Sequence, residues 1–265
     1  SFVPVIHGCD LMCTFCIIPF RRGRQISRPL DEIVAEVGSM VNRGMKEVTL
    51  LGQTVDAYGH DLEGEVDLAD LLRDVSNVKD IKRVRFLTSH PNFMSQRILD
   101  MVRDSEKVCE HINLPVQAGD DAILHAMRRR YTQREYIEMI ENIRKTIPGV
   151  AITTDIIVGF PGETREQFKK SLDLITDLEF DKVHIAAYST RPGTYAQRNL
   201  TDDVSVEEKK ERLRELEETQ KIVSARNNEK LLGQELEVLV DGAKDGQWRG
   251  RTRTDKIAFF TDARE

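Results

Sequence analysis

The sequence predicts an α/β fold, a partial (β/α)6 barrel followed by the start of a small all-β module. Three observations carry this. Short apolar runs alternate with longer amphipathic stretches over residues 1–200. Within those stretches apolar residues recur at three and four, as Ile33, Val37, Met40 and Val41 do. After Gly233 the pattern turns to short strands parted by turn residues.

In order, strands are expected at 3–7, 47–51, 83–88, 111–115, 151–158 and 182–188. Helices are expected between them, at 29–43, 68–77, 95–104, 131–146 and 165–177. Strand–helix units in succession make a parallel sheet with right-handed crossovers. Six units fall short of the eight of a closed barrel, so the wall stays open on one side. A long helix follows at 205–231, where Ser205 and Glu208 match a capping box and Gly233 supplies a stop. Its apolar stripe (Leu213, Leu216, Val223) is narrow and its remaining faces are charged, so it reads as a solvated helix packing on the barrel or bridging to the next module. Strands at 235–240, 248–254 and 256–260, with turns at Asp241-Gly242 and Thr254-Asp255, open the β-module. The divisions are 1–200 for the barrel, 201–232 for the helical extension and 233–265 for the module. Ser1 is not an initiator and the strand pattern is cut at Glu265, so the sequence reads as a piece of a longer protein.

Hydrophobic residues make up 40% and charged residues 32%, which supplies a core and a soluble surface. No apolar run approaches the roughly 20 residues that span a bilayer. Few cysteines and no signal-like start point to reduced thiols and a cytoplasmic setting. A net charge of −6 argues mildly against a polyanionic partner, although local patches can differ in sign.

Three of the four cysteines fall in Gly8-Cys9-Asp10-Leu11-Met12-Cys13-Thr14-Phe15-Cys16, just behind the first strand. Their C-x3-C-x2-C spacing lets one loop wrap three thiolates round a corner of an iron–sulfur cube. Four irons want four ligands, so one iron stays open to a small molecule. A structural zinc would want a fourth Cys or His; His7, two residues before Cys9, is expected to point away and Cys109 is remote.

Around this loop lie further strings: Arg21-Arg22-Gly23 with Ser27-Arg28-Pro29, Leu51-Gly52-Gln53-Thr54-Val55-Asp56-Ala57-Tyr58-Gly59, Thr88-Ser89-His90-Pro91, and Leu114-Pro115-Val116-Gln117-Ala118-Gly119. Asp155-Ile156-Ile157-Val158-Gly159-Phe160-Pro161-Gly162-Glu163-Thr164 and Tyr188-Ser189-Thr190-Arg191-Pro192-Gly193-Thr194 follow. In order and spacing they resemble the radical S-adenosylmethionine (SAM) superfamily and, more narrowly, its methylthiotransferases. Within these the chain is most similar to the tRNA enzymes of the MiaB type, which add a methylthio group at C2 of an N6-modified (isopentenyl) adenosine next to the anticodon. The branch acting on threonylcarbamoyl-adenosine is the nearer alternative, and the branch acting on a ribosomal-protein aspartate the more distant. An alternative of another class is a non-catalytic iron–sulfur module that binds RNA. The last strands resemble the start of a TRAM domain.

The resemblance implies one [4Fe-4S] cluster on Cys9, Cys13 and Cys16, with SAM chelating the open iron through its amine and carboxylate. One electron, from a reducing protein such as flavodoxin or ferredoxin, then yields a 5′-deoxyadenosyl radical that takes hydrogen from the adenine, and sulfur is inserted. No side chain is singled out as an acid or base. A second cluster is implied on an N-terminal domain outside this chain, so the chain is expected to bind and cleave SAM without methylthiolating tRNA. For SAM the implied residues are Phe15 (or a plain core aromatic), Gly52 and Gln53 (or an ordinary turn), and Gln117 (or a capped loop). Thr154, Asp155 and Gly159 complete the set, with a buried structural hydrogen bond the competing account of Asp155. Glu163 reads as an acid in the first turn of its helix. Arg21, Arg22 and Arg24, the run 128–130, Arg191, and Arg249, Arg251 and Arg253 on one face of a strand make a phosphate-tracking path or plain solvated charge. Cys109 reads as a small packed residue.

Overall fold

The computed structural model describes residues 1–261. Strand β1 (Phe2–Pro4) runs into β2 (Ile6–His7); α1 (Ile18–Arg22) and β3 (Ile26–Ser27) follow the cysteine loop. Then come α2 (Leu30–Asn42), β4 (Glu47–Leu51), α3 (Leu68–Ser76), β5 (Arg83–Phe86) and α4 (Gln96–Asp104). Next are β6 (His111–Asn113), α5 (Asp121–Ala126), α6 (Gln133–Thr146), β7 (Ala151–Val158), α7 (Arg165–Leu178), β8 (Lys182–Ala187) and α8 (Tyr195–Asn199). A long helix α9 (Val206–Glu229) leads to β9 (Val238–Lys244), β10 (Gln247–Thr252) and β11 (Ile257–Phe260).

All barrel pairings are parallel, in the order β1-β4-β5 and β6-β7-β8. A parallel bridge, Val84 to Val108, joins the two sheets into one curved wall. No pairing links β8 to β1, so the barrel is open there, as six strands require. Val48, Leu50, Val84, Phe86, Ile112, Ile152 and Ile156 belong to the apolar core. The alternate residues turn to the interior and bond one another: Asn113 Nδ2 donates to Thr153 Oγ1 (3.2 Å) and Arg85 pairs with Glu47 (3.1 Å). Among the described residues no helix is long and apolar enough to cross a membrane.

The expected first strand, 3–7, breaks at Val5. Beyond Pro4 the chain leaves the parallel sheet, and Ile6–His7 pairs antiparallel with Ile26–Ser27. The strands expected to reach 88, 115 and 188 stop earlier. Thr88 (φ 67°) and Gln117 (φ 75°) are left-handed, and Pro115 has no N–H to continue a ladder. The Ser205 hydroxyl caps α9 through the Glu208 N–H (3.1 Å), but the Glu208 carboxylate bonds Arg212 instead, so the reciprocal half of the capping box is absent. Helix α9 packs against β8 and α7, burying Lys209, Arg212 and Gln220 beside Leu216 and Val223.

The hairpin expected to turn at Asp241-Gly242 turns four residues later. Asp245 (φ 51°) and Gly246 (φ 77°) supply the two positive dihedrals of a tight turn, while Gly242 stays in β9 opposite Arg249. Two buried arginines of β5 clamp this module to the barrel. Arg83 donates to Arg251 O (2.6 Å) and pairs with Glu237; Arg85 donates to Arg253 O (2.7 Å) and Thr252 O (2.6 Å). Arg253 lies past the end of β10 and pairs with Glu110 (2.6 Å), while Arg249 pairs with Asp241 and Arg251 with Asp255. The expected free basic face on β10 is therefore neutralised residue by residue. The last residues of the expected module, 262–265, lie outside the described part.

Candidate metal and cofactor site

The cysteine loop is pinned by backbone bonds and by two of its own side chains, Thr14 donating to Ala126 O (2.8 Å) and Asp10 accepting from Gln25 N (3.1 Å). Gly8 is left-handed (φ 71°), and a Cβ there would stand 2.0 Å from Arg24 O, so no other residue fits. Cys9 N donates to Gly23 O (3.2 Å), Thr14 N to Met127 O (3.1 Å) and Ala196 N to Thr14 O (2.9 Å). The loop is thus tied to the chain after α5 and to α8.

So held, Cys9, Cys13 and Cys16 line one cavity of 150 Å³ at the C-terminal mouth of the strands, where barrel enzymes place their chemistry. All three thiols are free. Phe15, Gln53, Ser89, His90, Gln117, Arg129 and Asp155 share the wall. Gln53 also borders a second hollow of 270 Å³ with Gly52 and Arg22. The Oε1 of Gln53 and the Oγ of Ser89 are buried without a hydrogen-bond partner. Buried polar atoms are normally satisfied, so these two leave hydrogen-bonding capacity on this wall for a ligand, the amide oxygen as acceptor and the hydroxyl as either. Among the described residues no three His, Cys, Asp or Glu side chains could grip a single metal ion. Three free thiols on one short loop are the donor set that an iron–sulfur cluster takes. The donor set and the orphaned amide oxygen fit a cubane with a small polar ligand beside it.

Burial governs the local charges. It pushes the Cys16 thiol up, assisted by the neighbouring Cys13 and Cys9. It pushes His90 down to about 2, with Arg129 and Arg130 adding to the effect, so the imidazole is neutral. Asp155 is raised by burial, which outweighs His184, Asn113 and Arg129.

Asp56 sits in the turn after Gln53, and burial lifts its carboxyl to about 8. Its Oδ2 accepts the His90 N–H (2.8 Å), tying the second loop to the third. The folded state therefore holds this proton more tightly than the unfolded chain, whose carboxyl titrates near the ordinary 3.8. Stability supplied by the protonated form is complete only below the unfolded value of 3.8 and drains away as pH rises toward 8, at up to about 1.4 kcal/mol per unit. Asp56→Asn is expected to gain on the parent by clearly more at pH 8 than at pH 5. Thermal unfolding at the two pH values checks this, and an equal shift at both would refute it.

Of the residues expected from sequence, Phe15, Gln53, Gln117 and Asp155 join the cysteines on the cavity. Thr154 does not. It faces the helices, where its hydroxyl donates to Leu114 O (2.9 Å), accepts Val116 N (3.0 Å) and meets Tyr136; the period of two along β7 puts Asp155 inside and Thr154 outside. Gly52 approaches its own chain, since a Cβ there would stand 2.1 Å from Ile6 Cγ2. Gly159 (φ 70°) is filled from behind by the Lys209 stem, 2.3 Å from where a Cβ would sit. Glu163 precedes the helix, whose cap is Thr164 with Gln167 in a capping box; it is buried against Arg212. Arg21, Arg22 and Arg191 are exposed. The run 128–130 is split, with Arg128 and Arg130 exposed and Arg129 buried beside Cys13.

Asp56 and His90 had no assigned role from sequence, where Arg129 reads only as part of a phosphate-tracking or solvated run. The signal for Asp56 was a lone acid between Val55 and Ala57 in a loop already singled out. A larger hollow of 680 Å³ lies between His111 and Thr153 at the other end of the strands and the β-module. Its charges are largely spent on each other, as in Lys256–Asp181 and Arg251–Asp255, and it holds no thiol, so the cysteine cavity is the better candidate despite its size.

Residues 3–175 match the Radical SAM superfamily. The tRNA-2-methylthio-N(6)-dimethylallyladenosine synthase of Roseiflexus sp. (strain RS-1) is 53% identical over 263 residues, covering 98% of this chain and 55% of that protein. The synthase of the same name from Herpetosiphon aurantiacus is 51% identical over 261 residues, covering 97% and 60%. The chain thus spans little more than half the length of these curated relatives. Among solved structures, the radical S-adenosylmethionine methyltransferase TsrM from Kitasatospora setae aligns with a TM-score of 0.63 at 17% identity, over 74% of this chain and 38% of that one. Coproporphyrinogen III oxidase (HemN) from Escherichia coli gives 0.62 at 16%, over 84% and 52%. At such identities the likeness is one of fold.

Proposed function

Because this chain belongs to the radical SAM superfamily, we propose that it is the radical-generating core of a tRNA methylthiotransferase acting on an N6-isopentenyl adenosine. One observation carries this: three free thiols on a single cavity with an orphaned amide oxygen, in a chain half identical along its whole length to synthases of that name. Cys9, Cys13 and Cys16 would hold one [4Fe-4S] cluster, and Gln53, Gln117, Asp155 and Phe15 would hold SAM. When bound, the cluster supplies the electron that splits SAM into methionine and a 5′-deoxyadenosyl radical.

The chain's own residues bind, orient and exclude water. Gln53 Oε1 is placed to accept from an ammonium, and Phe15 offers a face to an adenine. The neutral His90 and the protonated Asp56 hold the two loops together without adding charge. At the rim, Arg21, Arg22, Arg128, Arg191 and Arg198 form no ion pair among the described residues, and exposed Phe20 and Tyr195 lie under Arg198 and Arg128. Unpaired arginines with aromatic platforms suit RNA phosphates and unstacked bases. We place RNA there and not on Arg249 and Arg251, whose charges are spent. A protein reductant, a cytoplasmic setting and a second cluster on other parts of the protein complete the proposal. The remaining thiol, Cys109, is buried and pushed up to about 11, which suits packing and not ligation.

Anaerobic reconstitution followed by dithionite and SAM is expected to yield 5′-deoxyadenosine with about four irons per chain. Deleting the gene in its source is expected to remove 2-methylthio groups from tRNA nucleosides on mass analysis. A deletion strain with unchanged 2-methylthio nucleosides would overturn the tRNA reading; about eight irons per chain would overturn the single-cluster expectation.

A further inference from the structure

Arg129 is the middle member of three consecutive arginines and the one turned inward, only 7% exposed. Arg128 before it is left-handed (φ 59°) and lies over the Tyr195 ring, which lets the next side chain dive under the cysteine loop. Each of the three guanidinium nitrogens has a partner. Its Nε donates to Tyr131 Oη (2.8 Å), its Nη2 to Pro115 O (2.9 Å), and its Nη1 reaches Cys13 Sγ at 3.6 Å. Among the described residues no carboxylate stands within ion-pair distance of it, whereas the other deeply buried arginines, Arg83, Arg85 and Arg212, all have one. A buried cation without a counter-ion is costly and calls for negative charge at hand. Of the groups its nitrogens reach, the Cys13 thiol is the one that ligation would turn anionic.

We propose that Arg129 is a positioning residue for the iron–sulfur cluster, holding the Cys13 sulfur by an N–H···S bond and raising the cluster's reduction potential through its fixed charge. This rests on the reading that Cys9, Cys13 and Cys16 hold that cluster. Reduction adds negative charge to the cluster; hydrogen bonds to sulfur and nearby positive charge both favour the more negative state. The planar fork matters as well as the charge, because an ammonium cannot serve Tyr131, Pro115 and Cys13 together.

The test is a potentiometric titration of the cluster's electron paramagnetic resonance signal in anaerobically reconstituted chains, with iron counted in each. Arg129→Gln is expected to move the midpoint to a more negative value. Arg129→Lys should fall between it and the parent. Arg130→Gln, which removes the same formal charge from solvent, should leave the midpoint where it is. A full cluster in Arg129→Gln with the parent's midpoint overturns the inference, and so does a midpoint unchanged while only the response of the signal to SAM is lost. Should Arg129→Gln fail to hold iron, Arg129→Lys decides, and the parent's midpoint in that variant overturns the inference. A parent chain that takes up no iron overturns the cluster reading itself, which separates that failure from this one.

Discussion

Cys16→Ala is expected to leave the fold intact and to strip the chain of iron. Of the three loop thiols Cys16 is the one whose side chain supports the least structure. Cys13 is buried under Arg129, and Cys9 meets the Leu11 N–H (3.4 Å) and Thr54 (3.6 Å). Cys16 is half-buried and takes one backbone N–H, that of Ile18 at the start of α1. Truncating it should cost about 1 kcal/mol or less in unfolding free energy, the usual size of a change away from core and charge networks. The effect on the site is of another order. Losing even an outer partner of a metal ligand costs about 10–100-fold in affinity or activity, so losing the ligand itself should lower 5′-deoxyadenosine formation by at least ~100-fold. Circular dichroism, iron counting and product analysis on one preparation separate the two readings. If the variant keeps the parent's iron and turnover, the three-cysteine site is wrong; if the parent binds a single zinc and no iron, the site is real but its chemistry is not this one.

How much of this was legible beforehand depends on whether the deciding interaction is local. The strands 47–51 and 151–158 emerge at their expected limits, because each is an apolar run bounded by turn chemistry of its own. The cysteine loop was legible because three ligands within eight residues need no tertiary information. Helices α1, α5 and α8 were missed since five or six residues are too few for a helical period to show. The hairpin offered two Asp-Gly pairs, at 241 and 245, and only the register against β10, with its bulge at Arg249 and Gly250, chooses between them. Arg128, Arg129 and Arg130 are identical in sequence terms. Which one turns inward follows from a left-handed residue at 128, and nothing in the string demands it. The rule that acid at the head of a helix serves the dipole failed for Glu163 for a similar reason: its partner comes from a helix 49 residues further on.

That partner makes the second large effect. Glu163 and Arg212 form the most buried ion pair between the barrel and α9, at 2.7 Å with side chains 1% and 5% exposed. Glu163 Oε2 also accepts the Gly159 N–H (2.6 Å), and Arg212 Nη1 donates to Glu163 O (2.9 Å), so one pair shapes the whole turn from 159 to 163. Arg212→Ala should cost about 3–5 kcal/mol, because it strands a carboxylate in the interior. Glu163→Gln should cost only about 1 kcal/mol, since an amide oxygen still accepts from Gly159 and no charge is left alone. The asymmetry has a pH signature. Burial raises the Glu163 carboxyl above its ordinary 4.5 even with Gly159 and Arg212 opposing it. The folded state thus binds that proton more tightly than the unfolded chain, and the stability this supplies is lost as pH rises through the folded value. Without Arg212 the value climbs further, so the penalty of Arg212→Ala should be smaller at pH 5 than at pH 8. Urea unfolding of both variants at the two pH values settles it. Equal costs for the two substitutions, or a penalty for Arg212→Ala that does not grow with pH, would mean that the pair is an ornament of the surface and not the hinge pin of the turn.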